Sequence, residues 1–215
     1  LRTRNNDGHR YLHDLYQSGV RNFVVDHVPA TMLNVDDANF LVVENVMKSL
    51  QTLASCHRHR FTAPVIGVTG SRGKTIVKEW LYQLLCADYS IVRSPRSYNS
   101  QIGVPLSIWE MNDDTQLAVF EAGISLPNEM ASLQAMIRPQ LAIITNIGDE
   151  HSEGFNSDKA KCEEKVMLCR DCDCIVYNGD DSLIREVVEN AGLTVKEIAW
   201  SRKDPDSPLY ISKVT

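Results

Sequence analysis

Pro64-Val65-Ile66-Gly67-Val68-Thr69-Gly70-Ser71-Arg72-Gly73-Lys74-Thr75 runs from an apolar stretch through a glycine-punctuated turn to a Lys-Thr pair that opens an amphipathic segment, Ile76 to Leu85. A short apolar run entering such a turn reads as a buried strand, and the segment beyond it as a helix. Glycines let successive backbone N–H groups converge on phosphate oxygens, and the helix directs its positive end at them. Lys74 adds a point charge and Thr75 offers Mg2+ a hydroxyl. The strict P-loop spacing is missed, because Val68 stands where the first glycine or alanine is required and the glycines fall at Gly67, Gly70 and Gly73. A variant phosphate loop is therefore expected, with Thr69, Gly70, Ser71, Arg72, Gly73, Lys74 and Thr75 holding ATP.

Toward the C-terminus, strand and helix patterns alternate. Strands are expected at Val65–Val68, Ser90–Val92, Leu117–Glu121, Leu141–Asn146, Cys174–Tyr177, Val195–Ala199 and Leu209–Ser212. Helices are expected at Thr75–Ala87, Glu129–Ile137, Lys159–Leu168 and Ser182–Ala191. Alternation of this kind predicts an α/β fold, a mostly parallel sheet flanked by helices, over residues 63–215. Toward the N-terminus a helix at Tyr11–Gln17, strands at Asn22–Asp26 and Phe40–Val43, and a helix at Val46–Cys56 form a small α/β domain over residues 1–62. The basic run His57-Arg58-His59-Arg60 suits the C-terminus of that last helix.

Ligands of parallel sheets collect beyond the carboxyl ends of the strands. Glu121 follows Leu117-Ala118-Val119-Phe120 and is placed like the acid that helps hold Mg2+ in nucleotide hydrolases. Asn146 follows the strand from Leu141 and is expected to contact ATP, and His151 lies in the polar, glycine-bearing segment beyond it.

With 22 basic and 28 acidic residues and a net charge of -6, the chain has no general attraction for nucleic acid or anionic membrane. No apolar run approaches the roughly 20 residues that span a bilayer, and the first residues lack the apolar core of a secretory signal. A cytoplasmic, monomeric bacterial protein is expected. Three of the six cysteines crowd together as Cys169-Arg170-Asp171-Cys172-Asp173-Cys174. Without a second ligand pair they read as buried thiols beside a strand.

Four ordered motifs carry a resemblance. Thr69 to Thr75, Asn99-Ser100-Gln101-Ile102-Gly103-Val104-Pro105-Leu106, Glu121-Ala122-Gly123 with Pro127-Asn128-Glu129-Met130, and Thr145-Asn146-Ile147-Gly148 with His151 and Glu153-Gly154-Phe155 resemble the Mur ligases. The second and fourth look most like the MurF type. That type joins D-alanyl-D-alanine to UDP-N-acetylmuramoyl-tripeptide, and these are the partners the resemblance implies. Asp7-Gly8-His9 and the following strand resemble the end of its substrate domain. The family's C-terminal domain has no counterpart, so a fragment is expected.

The resemblance implies an ATP- and Mg2+-dependent amide ligase working through an acyl phosphate. Lys74 would neutralise phosphates, Thr75 and Glu121 would hold one Mg2+, and His151 would bind a second. Asn99, Asp7 and His9 would contact substrate. The family carries a lysine carbamate made with CO2, for which Lys159, Lys161 and Lys165 are candidates and Lys161 matches the motif best. Arg72 departs from the usual asparagine or serine. A MurE-type ligase, a folylpolyglutamate synthase and a nucleotide-binding module without ligase activity are the competing expectations.

Overall fold

The computed structural model describes residues 1–2, 6–148 and 154–213. It forms two compact units, Leu1–Leu53 and Ala54–Thr215. The first holds α1 (Leu12–Gln17), β1 (Asn22–Val25), β2 (Asn39–Val42) and the start of α2 (Val46–Arg58). β1 and β2 pair in parallel, with Asn22 opposite Asn39 and Val25 opposite Val42. Alternation along β1 turns Phe23 and Val25 inward onto Leu12 and Met32, and the Phe23 and Phe40 rings stack at 5.3 Å. The division falls inside α2 because its last turns serve the second unit. Ala54 is fully buried there, and Arg58 donates to the carbonyls of Ile137 and Phe61.

The second unit runs β3 (Val65–Thr69), α3 (Lys74–Leu85), β4 (Ile91–Arg93), α4 (Gly103–Ile108), β5 (Leu117–Glu121) and α5 (Met130–Ile137). It continues with β6 (Leu141–Ile144), α6 (Asp158–Val166), β7 (Cys174–Asn178), α7 (Ser182–Asn190), β8 (Lys196–Ser201) and β9 (Leu209–Tyr210). The seven strands lie in the order β4-β5-β3-β6-β7-β8-β9, and every neighbouring pair is parallel.

β3 and β5 are buried along their whole length, which is why both read as continuous apolar runs. Ile66, Val68, Leu117 and Val119 face Val77, Leu81 and Leu85 of α3. The alternate residues Val65, Ala118 and Phe120 face Val104 and Ile108 of α4 and Leu133, Met136 and Ile137 of α5. Ala142, Ile144, Ile175 and Tyr177 pack with α6 and α7. After β3 the chain crosses to β4, returns to β5 beside β3, and then passes to β6 on the other side of β3. That reversal leaves a crevice beyond the carboxyl ends of β5, β3 and β6.

The expected elements are present with end shifts of the usual size, and β6 stops at Ile144, leaving Thr145 and Asn146 in the following loop. The six-residue α4 is an addition. Its Gly103 and Pro105 read as turn residues, yet proline is tolerated in a helix's first turn, and Val104 and Ile108 are wholly buried. Cys162, Cys169 and Cys172 are buried, and burial pushes the Cys162 and Cys172 thiols up to about 12. Among the described residues no cysteine belongs to a metal-ligand cluster, and no helix is long and apolar enough to cross a membrane.

Candidate functional site

The loop between β3 and α3 takes a form only glycine allows. Gly70 has φ 138° and Gly73 φ 82°, and a Cβ on Gly70 would stand 2.0 Å from Thr145 Oγ1. The loop is tied to the segment after β6. Ser71 N donates to Asn146 O at 2.8 Å, Arg72 N to Asn146 Oδ1 at 2.8 Å, and Thr145 Oγ1 to Arg72 O at 2.6 Å. Ser71 Oγ accepts from Gly148 N at 3.0 Å and donates to Gly148 O at 3.1 Å. Asn146 thus shapes the phosphate loop directly.

Lys74 Nζ donates to Gly70 O at 2.9 Å and Ser71 O at 2.8 Å, which places its ammonium over the loop. The first-turn N–H groups of α3 have no acceptor within the helix and carry the positive end of its dipole. Thr69 is wholly buried and its hydroxyl donates to Ala122 O at 2.9 Å, a tie between β3 and the end of β5. The Arg72 side chain is exposed.

Glu121 ends β5 with its side chain closed to water. Oε2 accepts from Thr75 Oγ1 at 3.1 Å and more weakly from Asn99 Nδ2 at 3.4 Å. Oε1 lies 3.0 Å from Lys78 Nζ, an ion pair without the alignment of a hydrogen bond. Thr75 Oγ1 is also 3.1 Å from Ser97 Oγ. The Thr75 hydroxyl and the Oε2 of a buried carboxylate turned toward it are the hard oxygen donors that suit Mg2+.

Helix α6 is capped by Ser157, whose hydroxyl accepts from Ala160 N. It separates the three candidate lysines. Lys159 is exposed and pairs with Glu186 at 2.6 Å, which raises its pKa. Lys161 and Lys165, one turn apart, are buried against the loops. Lys161 donates to Gly148 O and pairs with Asp158 at 2.9 Å; Lys165 donates to Gly70 O at 3.0 Å. His151 lies outside the described residues.

Asp7 and His9 sit in the first unit. Asp7 Oδ1 accepts from His9 N at 3.0 Å and pairs with His9 Nδ1 at 2.6 Å, and these bonds hold the Asp7 carboxyl down at about 2. His9 Nε2 faces Asp26 Oδ1 at 3.2 Å, and Asp26 also meets His27 Nδ1 at 2.5 Å. His9, Asp26 and His27 have the composition of a metal site, but Arg2 already supplies a cation. Its Nε lies 3.2 Å from Asp7 and 3.6 Å from Asp26.

Sequence reasoning missed Lys78, Ser94 and Ser97, which complete the surroundings of Glu121 and Thr75. Lys78 carried a usable signal: it lies one turn beyond the Lys-Thr pair, next to Val77 on the helix face whose apolar residues cover the sheet.

A parallel sheet with a glycine loop and a lysine at its switch point defines an α/β protein of the phosphate-loop class. The chain belongs to the Mur ligase family: the Mur ligase middle domain matches residues 68–213. It is 31% identical over 183 residues to the UDP-N-acetylmuramoyl-tripeptide--D-alanyl-D-alanine ligase of Bacillus subtilis (strain 168), covering 83% of this chain and 39% of that protein. It is 36% identical over 167 residues to the ligase of the same name from Borreliella burgdorferi, covering 75% of this chain and 36% of that protein. The crystal structure of MurF ligase from Thermotoga maritima in complex with ADP superposes with a TM-score of 0.83 at 26% identity, covering 95% of this chain and 47% of that one. MurF from Acinetobacter baumannii shares the fold with a TM-score of 0.86 at 24% identity, covering 94% of this chain and 44% of that one. The chain thus spans less than half the length of each.

Proposed function

We propose that the chain is the nucleotide-binding part of an ATP-dependent amide ligase of the MurF type, joining D-alanyl-D-alanine to UDP-N-acetylmuramoyl-tripeptide. The observation that carries this reading is the contact of Thr75 with buried Glu121 at 3.1 Å beside a glycine loop capped by Lys74. The names of the relatives and the ADP complex support the substrate and nucleotide assignments. Residues 63–215 are assigned as the ATP-binding domain and 1–62 as part of a substrate domain in which Asp7 and His9 serve the substrate side. The protein acts in the bacterial cytoplasm as a monomer.

A carboxylate oxygen is a poor leaving group, so amide formation needs activation. The substrate carboxylate attacks the γ-phosphorus of ATP, the bond to the bridging oxygen breaks, and ADP leaves. The amine of D-alanyl-D-alanine then attacks the acyl phosphate, loses a proton and expels phosphate. Lys74 exchanges the Gly70 and Ser71 carbonyls for phosphate oxygens and neutralises charge as it moves between them. The first turn of α3 directs N–H groups at the same oxygens, and Asn99 orients the substrate or the transferred phosphoryl group. Thr75 and Glu121 would hold Mg2+, which would supply further charge neutralisation, and His151 would serve a second ion. Carbamylation of Lys161 requires its amine to leave Asp158, because a carbamate beside that carboxylate would set two anions together.

Phosphate release from ATP by the full-length protein is the test. It is expected with UDP-N-acetylmuramoyl-tripeptide plus D-alanyl-D-alanine, with loss of roughly 100-fold or more in Lys74→Ala. Release only with UDP-N-acetylmuramoyl-dipeptide plus a diamino acid would move the assignment to the MurE type. Nucleotide binding with neither pair supporting release would favour a binding module.

A further inference from the structure

Lys78 has no part in the reading above, yet its side chain is completely buried, as is that of its partner Glu121. A lysine sealed from water needs acceptors for its charge and its three protons. Lys78 Nζ donates to Ser94 O at 2.8 Å and to Arg96 O, and it lies 3.1 Å from Glu79 Oε1 and 3.0 Å from Glu121 Oε1. Glu79 is itself tied to Arg93 Nε at 3.2 Å.

These contacts join three segments of one site. Thr75 and Lys78 are one turn apart on α3; Ser94 and Arg96 lie in the segment between β4 and α4, which also carries Ser97 and Asn99; Glu121 ends β5. Ser94 closes the circuit from the other side, its Oγ accepting from Glu121 N at 3.1 Å. The carboxylate is thereby divided. Oε1 belongs to the lysine, while Oε2 is turned to Thr75 and Asn99.

We propose that Lys78 is a positioning residue for the metal–nucleotide site, holding Glu121 by one oxygen and the Ser94–Asn99 segment by its carbonyls so that the other oxygen stays directed at Thr75. The proposal rests on the reading of Thr75 and Glu121 as the residues that hold Mg2+. A merely structural ion pair would make a different prediction. Removing Lys78 would then lower stability and leave metal affinity alone, whereas loss of a group that orients a metal ligand costs metal affinity, typically 10- to 100-fold.

The experiment measures Mn2+ binding in the presence of ADP by the loss of the free-ion electron paramagnetic resonance signal, and ADP affinity separately in EDTA. Glu121→Gln is expected to weaken Mn2+ binding roughly 10- to 100-fold. Lys78→Met is expected to do the same, with ADP affinity in EDTA unchanged. Lys78→Gln, which removes the charge and keeps an amide donor on a side chain one atom shorter, makes the same prediction should Lys78→Met fail to fold. Wild-type Mn2+ affinity in a folded Lys78 variant, with Glu121→Gln impaired, would overturn the role of Lys78 alone. Equal loss of ADP affinity in EDTA would also overturn it, since the whole loop would then have collapsed. Unimpaired Mn2+ binding in Glu121→Gln, or none in the wild type, would overturn the reading of Glu121 and with it the proposal.

Discussion

In the first unit Arg2 reaches Asp7 at 3.2 Å and Asp26 at 3.6 Å, with half of the arginine side chain open to water. In the second unit Lys78 meets Glu121 at 3.0 Å with both side chains closed to water. The chemistry is the same, a cation among carboxylates, and the separations differ little. The consequences differ because water screens the first cluster and not the second. An exposed pair gains little and loses more of it in salt. A buried pair has given up the hydration of two ions, so each depends on the other.

The sharpest way to break this contrast is Glu121→Ala, which removes the buried carboxylate of Lys78 and leaves only the partly exposed Glu79 beside its ammonium. Urea denaturation should show a loss of about 3–5 kcal/mol. A smaller loss would mean that Glu79 together with the Ser94 and Arg96 carbonyls satisfies the lysine. Next in size is the paired change Lys78→Met with Glu121→Gln. Removing both charges should recover most of the stability lost in Glu121→Ala, because the desolvation cost disappears with the attraction. Failure to recover would trace the role of Lys78 to its carbonyl contacts instead.

Arg2→Ala should lower stability less than either, and raising the salt concentration should shrink the difference further. An effect as large as that of Glu121→Ala would remove the distinction altogether. The smallest effect is the acid titration of Asp7. Its carboxyl is held down at about 2 in the fold against 3.8 ordinarily, through the His9 bonds first, with the Arg2 and His9 charges adding less. A depressed carboxyl stabilises the fold above its unfolded value and loses that contribution as the pH falls through its folded value. Stability should therefore fall between about pH 4 and pH 2, and Asp7→Asn should remove that part of the slope.

Much of the site was legible because its signals are local. Gly70 and Gly73 are required by positive φ, Lys74 and Thr75 follow from their place at a helix start, and Glu121 from its place after a buried strand. The roles of Asn146 and Thr69 were not legible in the same way. Both were expected to contact ATP, and the structure adds that the Asn146 side chain shapes the loop backbone and the Thr69 hydroxyl ties β3 to the end of β5. Lys78 was passed over because a lysine within an amphipathic helix ordinarily reads as solvated.

The order of apolar runs, glycines and helix starts was enough to determine an α/β protein with a parallel sheet and a phosphate loop, because those patterns arise from bonds within a few residues. Tertiary structure decided which charges are silent. Lys159, Lys161 and Lys165 share one helix, but only the packing of α6 against the loops after β3 and β6 buries the last two and leaves the first in water. It likewise turned Lys78 from a surface charge into the partner of Glu121. Burial depends on contacts between residues far apart in the chain, and it is burial that sets how strongly two charges act on each other.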